Sequence, residues 1–220
     1  MSLNSPQRRG MGRALERWRG RLGVGAGVVV VLLGFWFAGK GQPGPVDGRL
    51  GQELYGLRSP WRDFAHAMDW LGEPVGSTLL VAAVVAGCLV LRQPRAAAVV
   101  VGSVALAVGT ATVLKHVVGR TIHGEQNLSY PSGHTAFFTA LALAVAMAVT
   151  RGRGGSGLGT AAALAAGAVM GWAQVVLGAH YPTDALGGWC TALAAVPATA
   201  WLVGRVAEKR DLRRGGGRPA

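Results

Sequence analysis

The sequence predicts an all-α membrane protein: a six-transmembrane-helix bundle with a short amphipathic interfacial helix between spans 1 and 2. Three observations carry this. Half of the 220 residues are hydrophobic and 35 are glycine, a small-residue richness that suits helices packed in lipid better than a soluble domain. Apolar runs recur six times, with lengths near the roughly 20 residues that cross a hydrocarbon core, the fourth being short unless it begins near His134. The formal net charge of +12 is segregated into the two tails and the short connections between runs.

Residues 1–22 are read as a basic tail carrying Arg8, Arg9, Arg13, Arg17, Arg19 and Arg21. The first span covers about 23–39. A basic segment before an apolar run also fits a signal peptide, but Phe35-Trp36-Phe37 resembles the aromatic end of a retained span more than a cleavage site. Residues 39–73 read as a long loop with a Gly/Pro-rich start. Within it, Ser59 is placed to cap and Pro60 to open a short helix. Trp61, Phe64, Met68 and Leu71 form an apolar stripe at helical spacing, as on a helix lying at a membrane surface.

The remaining spans cover about 75–91, 96–114, 134–150, 158–178 and 184–204. Gly167 and Gly171 make a small-xxx-small pair that lets helices approach closely. Pro197 is expected to kink the last span. Residues 205–220 form a second basic tail, leaving 23–204 as one membrane domain. Cys88 and Cys190 lie inside apolar runs and suggest neither a disulfide framework nor a metal site.

Charge placement orients the chain. Arg92, Arg95, Arg151 and Arg153 mark their short loops as cytoplasmic, together with both tails. With six spans, the 115–134 loop and the 180–184 turn then fall on the extracytoplasmic side. The expected location is the cell membrane, with both termini cytoplasmic. Basic tails beside apolar spans read as anchors to anionic lipid, and no nucleic-acid partner is expected.

Those two outer segments hold the chemistry. Pro131-Ser132-Gly133-His134 stands where a polar loop meets an apolar helix. Ser132 offers a hydroxyl to an oxyanion, and Gly133 a close backbone N–H. His134 offers a proton near neutral pH, all at a helix N-terminus that favours phosphate. Downstream, His180 and Asp184 are four residues apart and share a helical face, an arrangement in which a carboxylate fixes an imidazole's tautomer. Lys115 and Arg120 lie upstream of the tetrad.

Together these blocks resemble the type-2 phosphatidic acid phosphatase family, which shares its site with vanadium haloperoxidases. The family pattern is Lys-x6-Arg-Pro, Pro-Ser-Gly-His and Ser-Arg-x5-His-x3-Asp. The resemblance spans roughly residues 114–188. The second block matches in full, and His180 and Asp184 match the end of the third. The first block keeps Lys115, but its Arg-Pro falls on Ile122-His123. The Ser-Arg of the third falls on Ala173-Gln174. Two phosphate-gripping arginines are thus absent.

The resemblance implies hydrolysis of a lipid phosphate or pyrophosphate, of the undecaprenyl pyrophosphate, phosphatidic acid or phosphatidylglycerol phosphate class. His180 would attack phosphorus with Asp184 behind it, and His134 would protonate the leaving oxygen. Lys115, Ser132 and the Gly133 N–H would hold the equatorial oxygens. Arg120 is the expected substitute for a missing arginine, with His123 and Gln174 as additional donors. No carboxylate cluster or His/Cys ligand set stands out, so no metal and no cofactor is expected. The alternatives are a phosphotransferase using the same site and a non-catalytic phospholipid-binding protein.

Overall fold

In a computed structural model the described residues are 5–150 and 156–215, with 5–19, 156 and 214–215 described by backbone alone. They form eight α-helices: α1 (Ser5–Phe37), α2 (Pro45–Tyr55), α3 (Trp61–Gly72), α4 (Pro74–Val90), α5 (Pro94–Val118), α6 (Gly133–Val149), α7 (Ser156–Val176) and α8 (Pro182–Gly215). Four segments are long and apolar enough to cross a membrane: Gly20–Phe37, Pro94–Val118, Gly157–Val176 and Pro182–Arg213. α3 and α4 together make a fifth candidate, bent by 66°. α6 is equally apolar but only 17 residues long. The chain is a multi-pass helical membrane protein.

Large apolar side chains turn outward on these helices, among them Phe35, Val90 and Leu158, each at least 80% exposed. A soluble monomer does not present such a surface, whereas a hydrocarbon solvent makes it inexpensive. The Arg151/Arg153 loop and the last five residues, which contribute to the expected topology, lie outside the described residues.

The 39–73 segment differs from the expected loop, because it contains two helices. Pro45 opens α2, and Asp47 reaches back so that the Gly44 N–H donates to Oδ2 at 3.2 Å. Gly48 and Gly51 inside α2 lower its helical propensity, which hid it among the loop residues. α3 begins after Pro60 as expected, but Ser59 does not cap it. Its hydroxyl donates to Asp63 at 2.6 Å instead. Nor does α3 lie free on a surface. Ala65 is fully buried with Ala173 and Val176 of α7, and the Trp61 and Phe64 rings lie 6.4 and 6.1 Å from that of Trp172. Part of the apolar stripe thus packs on α7, while Trp61 and Phe64 stay 58% and 46% exposed, as on an interfacial helix.

The basic segments 5–22 and 205–215 continue α1 and α8 as helix. Pro197 sits inside α8 without ending it. Cys88 and Cys190 are buried and unpaired.

The core joins α5, α6, α7 and α8 around Ala107, Ala140, Ala163 and Ala192. Alanine and glycine let these backbones approach closely. A Cβ on Gly167 would come within 2.1 Å of Thr139 Oγ1, and one on Gly171 within 3.2 Å of Ala185 Cβ. Gly167→Val should therefore overpack α7 against α6 and destabilise by about 1–3 kcal/mol or more. A lower thermal midpoint in detergent checks this, and an unchanged midpoint would show that the helices separate freely there.

Candidate active site

One end of the bundle collects the C-terminus of α5, the N-termini of α6 and α8, the C-termini of α3 and α7, and all of α2. α5 stops at Gly119, whose φ of +62° permits the left-handed cap. The chain then folds back on itself through 119–132, with a Thr121–Leu128 bridge and the Ser129 N–H donating to Arg120 O at 2.8 Å. Lys115, in the last turn of α5, donates to Leu128 O at 2.9 Å. Tyr130 braces the loop by donating to Val30 O of α1 at 2.7 Å. Burial first, and then Cys190 and Asp184 nearby, push its phenol upward, so it stays a donor.

Ser132 is the N-cap of α6. Its Oγ accepts from the Thr135 N–H at 3.4 Å and from Thr135 Oγ1 at 3.0 Å. Its own N–H donates to Asp184 O at 2.9 Å, which pins the start of α6 to the first turn of α8. Gly188 makes this contact sterically feasible, since a Cβ there would meet Ser132 O at 2.3 Å. Two helix N-termini thus converge, one bearing His134 and the other preceded by His180, and their partial positive charges add.

α7 ends in a turn through Gly178 (φ +72°), and the Ala179 and His180 N–H groups donate back to Gln174 O at 3.0 and 3.3 Å. His180 is nearly buried, with Nδ1 at 3.8 Å from Asp184 Oδ2. The contact falls at the i,i+4 spacing, although His180 lies two residues before α8, and at 3.8 Å it is not a hydrogen bond. Neither His180 Nδ1 nor His134 Nε2 has a hydrogen-bond partner among the described residues.

Three residues stand differently from expectation. Arg120 does not face a phosphate pocket. It is fully buried, with Nη2 donating to Asp47 Oδ2 at 2.6 Å and Nη1 to Asp184 Oδ1 at 2.6 Å. Sequence proximity to the missing arginine suggested a donor, but buried carboxylates 64 and 73 positions away along the chain claimed the guanidinium. Gln174 is committed as well: its Nε2 donates to Asp69 Oδ1 at 2.8 Å. His123 Nε2 donates to Gly178 O at 2.8 Å and serves the turn. Ile122, where the pattern has arginine, is 2% exposed and packed as an apolar residue.

Sequence reasoning missed Asp69 and Glu73. Their carboxylates lie 3.5 and 3.7 Å from His134 Nε2. Gly72 lets α3 come this close, as a Cβ there would meet the His134 ring at 2.0 Å. The expectation of no carboxylate cluster is thereby corrected. Asp69, Glu73 and His134 bring ligand atoms within 4.8 Å of one another, and they are the residues that could hold a cation. The signal was present as Asp69 in the last turn of α3 and Glu73 at its C-cap, four residues apart, but only the α3–α6 packing reveals what they face.

The residues gathered here can bind an oxyanion at two helix ends, present one imidazole backed by a carboxylate, and present a second beside two carboxylates. Comparison with known proteins bears on the family and the fold. The model of the PAP2 superfamily matches residues 96–208, just over half of the chain. The bundle is similar to the crystal structure of the first transmembrane PAP2 type phosphatidylglycerolphosphate phosphatase from Bacillus subtilis. The TM-score is 0.68 at 20% identity, covering 85% of this chain and 96% of that one. No curated protein matches the sequence. From its motifs, its fold and the length matched, the chain belongs to the PAP2 superfamily.

Proposed function

We propose that the protein hydrolyses a membrane lipid phosphate or pyrophosphate through a phosphohistidine on His180. The observation that carries this reading is the Ser132–Asp184 backbone tie, which brings two histidine-bearing helix N-termini to one point. His180 attacks phosphorus, and Asp184 supports its Nδ1. His134 gives a proton to the leaving oxygen and later receives one from the attacking water. The Gly133 N–H, the Ser132 hydroxyl hydrogen and Lys115 stabilise the equatorial oxygens. Nucleophile, acid and oxyanion donors are all groups of the chain, so the chemical step needs no metal. The substrate classes are undecaprenyl pyrophosphate, phosphatidic acid and phosphatidylglycerol phosphate. The last is also the class named for the similar Bacillus subtilis structure.

Phosphate release by purified protein from a panel of these lipids, with and without EDTA, tests the reading. Release that survives EDTA supports it. Release abolished by EDTA assigns a catalytic cation to Asp69, Glu73 and His134. A phospholipid-binding protein without turnover is the second reading. It is favoured by the apolar packing of Ile122 and the engagement of Gln174 by Asp69, and no release from any lipid together with anionic lipid bound near His180 would establish it.

The same reading sets six spans, cytoplasmic termini and an extracytoplasmic site. Reporter fusions after Arg95 should read cytoplasmic, and fusions within 124–128 external. The reverse pattern would move the site to the other face.

A further inference from the structure

Beside the groups that would meet a phosphate lies a fully buried ionic cluster, of which only Asp184 has a role in the reaction just described. It joins Asp47 of α2, Arg120 of the 119–132 loop and Asp184 of α8, whose side chains are all 0% exposed. The guanidinium carbon sits 3.7 Å from the Phe37 ring centre and 4.4 Å from that of Tyr181, so aromatic faces close both sides. Asp47 is fixed in turn. Its Oδ1 accepts the Thr183 N–H at 2.9 Å, and its Oδ2 accepts the Thr183 hydroxyl at 2.9 Å. Asp47 therefore caps the first turn of α8 from outside the helix.

This leaves Asp184 little freedom. Arg120 holds Oδ1, so Oδ2 must lie on the His180 side, where it also accepts the Tyr181 N–H at 3.0 Å. Charge points the same way. One guanidinium between two carboxylates leaves the cluster net negative, whereas an Arg120–Asp184 pair alone would be neutral. The residual negative charge is what an imidazole needs behind it to keep its proton on Nδ1 and its other nitrogen free.

We propose that Asp47 and Arg120 are positioning residues for the nucleophile: a clamp that keeps Asp184 turned toward His180. Neither touches substrate, and both act through Asp184. The kinetic consequence rests on the phosphohistidine reading, but the effect on His180 does not.

Asp47→Asn tests the clamp, because it removes the charge and keeps the shape and the acceptor for the Thr183 N–H. The first readout is the His180 tautomer by 15N-histidine NMR in detergent. The wild type should show the Nδ1–H form, and Asp47→Asn a mixture. The second is steady-state hydrolysis of phosphatidic acid. kcat should fall about tenfold with KM little changed, and Asp47→Asn should add no further loss in an Asp184→Asn background. A folded Asp47→Asn with wild-type tautomer and kcat overturns the proposal, as does full additivity with Asp184→Asn. If Asp47→Asn does not fold, Thr183→Val removes the hydroxyl shared by Arg120 and Asp47 at less cost. It should shift the tautomer in the same direction, and an unshifted His180 in that folded variant also overturns the clamp. Absence of lipid phosphate hydrolysis by the wild type would sink the proposed function, while the NMR readout would still decide the clamp.

Discussion

His180→Ala should abolish lipid phosphate hydrolysis, with turnover falling on the order of 10⁴–10⁶-fold, as when a covalent nucleophile is removed from a catalytic unit. The fold should survive. His180 Nδ1 makes no hydrogen bond among the described residues, and the turn that carries it is held by backbone bonds to Gln174 O. His134→Ala should behave differently, since acid help matters most for poor leaving groups. Its loss should be largest with lipid monophosphates and smallest with an aryl phosphate such as p-nitrophenyl phosphate. Acid-labile 32P on the wild type and none on His180→Ala, after quenching during turnover, would identify the intermediate. Hydrolysis by His180→Ala at a rate near wild type would eliminate the phosphohistidine mechanism.

Arg120→Ala should cost folded protein rather than turnover alone. Removing the guanidinium leaves Asp47 and Asp184 buried 0% exposed and facing each other without a counter-charge. Breaking a buried ion pair from one side costs about 3–5 kcal/mol. That is a large part of the roughly 5–15 kcal/mol that separates a native domain from its unfolded state. The aromatic contacts with Phe37 and Tyr181 are lost as well. The expected result is a strong drop in recoverable monodisperse protein and in thermal midpoint. A phosphate donor would behave in the opposite way, keeping its fold and losing about 10²–10³ in rate. A stable Arg120→Ala that loses only activity would return Arg120 to the phosphate site.

The sequence by itself determined the membrane bundle and the identity of its chemical groups. Apolar runs and segregated charge are local properties of the chain, and hydrocarbon admits few backbone solutions, so helices and their approximate ends could be read directly. Pro131-Ser132-Gly133-His134 was legible for the same reason: a helix N-cap, a glycine and an imidazole are adjacent in one turn. The His180/Asp184 pair was legible because i,i+4 spacing is a geometric rule.

What only tertiary structure decided is which partner each charge takes. Arg120 is the clearest example: its place in the chain pointed to a phosphate, but Asp47, 73 positions away, and Asp184, 64 away, hold it. α2 was obscured by its glycines, yet it delivers the carboxylate that caps α8. Asp69 and Glu73 carried no recognisable role until the packing of α3 on α7 and α6 brought them beside His134. The physical reason is common to all three. Which charged groups come within about 4 Å of one another is set by helix packing, which sequence spacing does not encode beyond one or two turns.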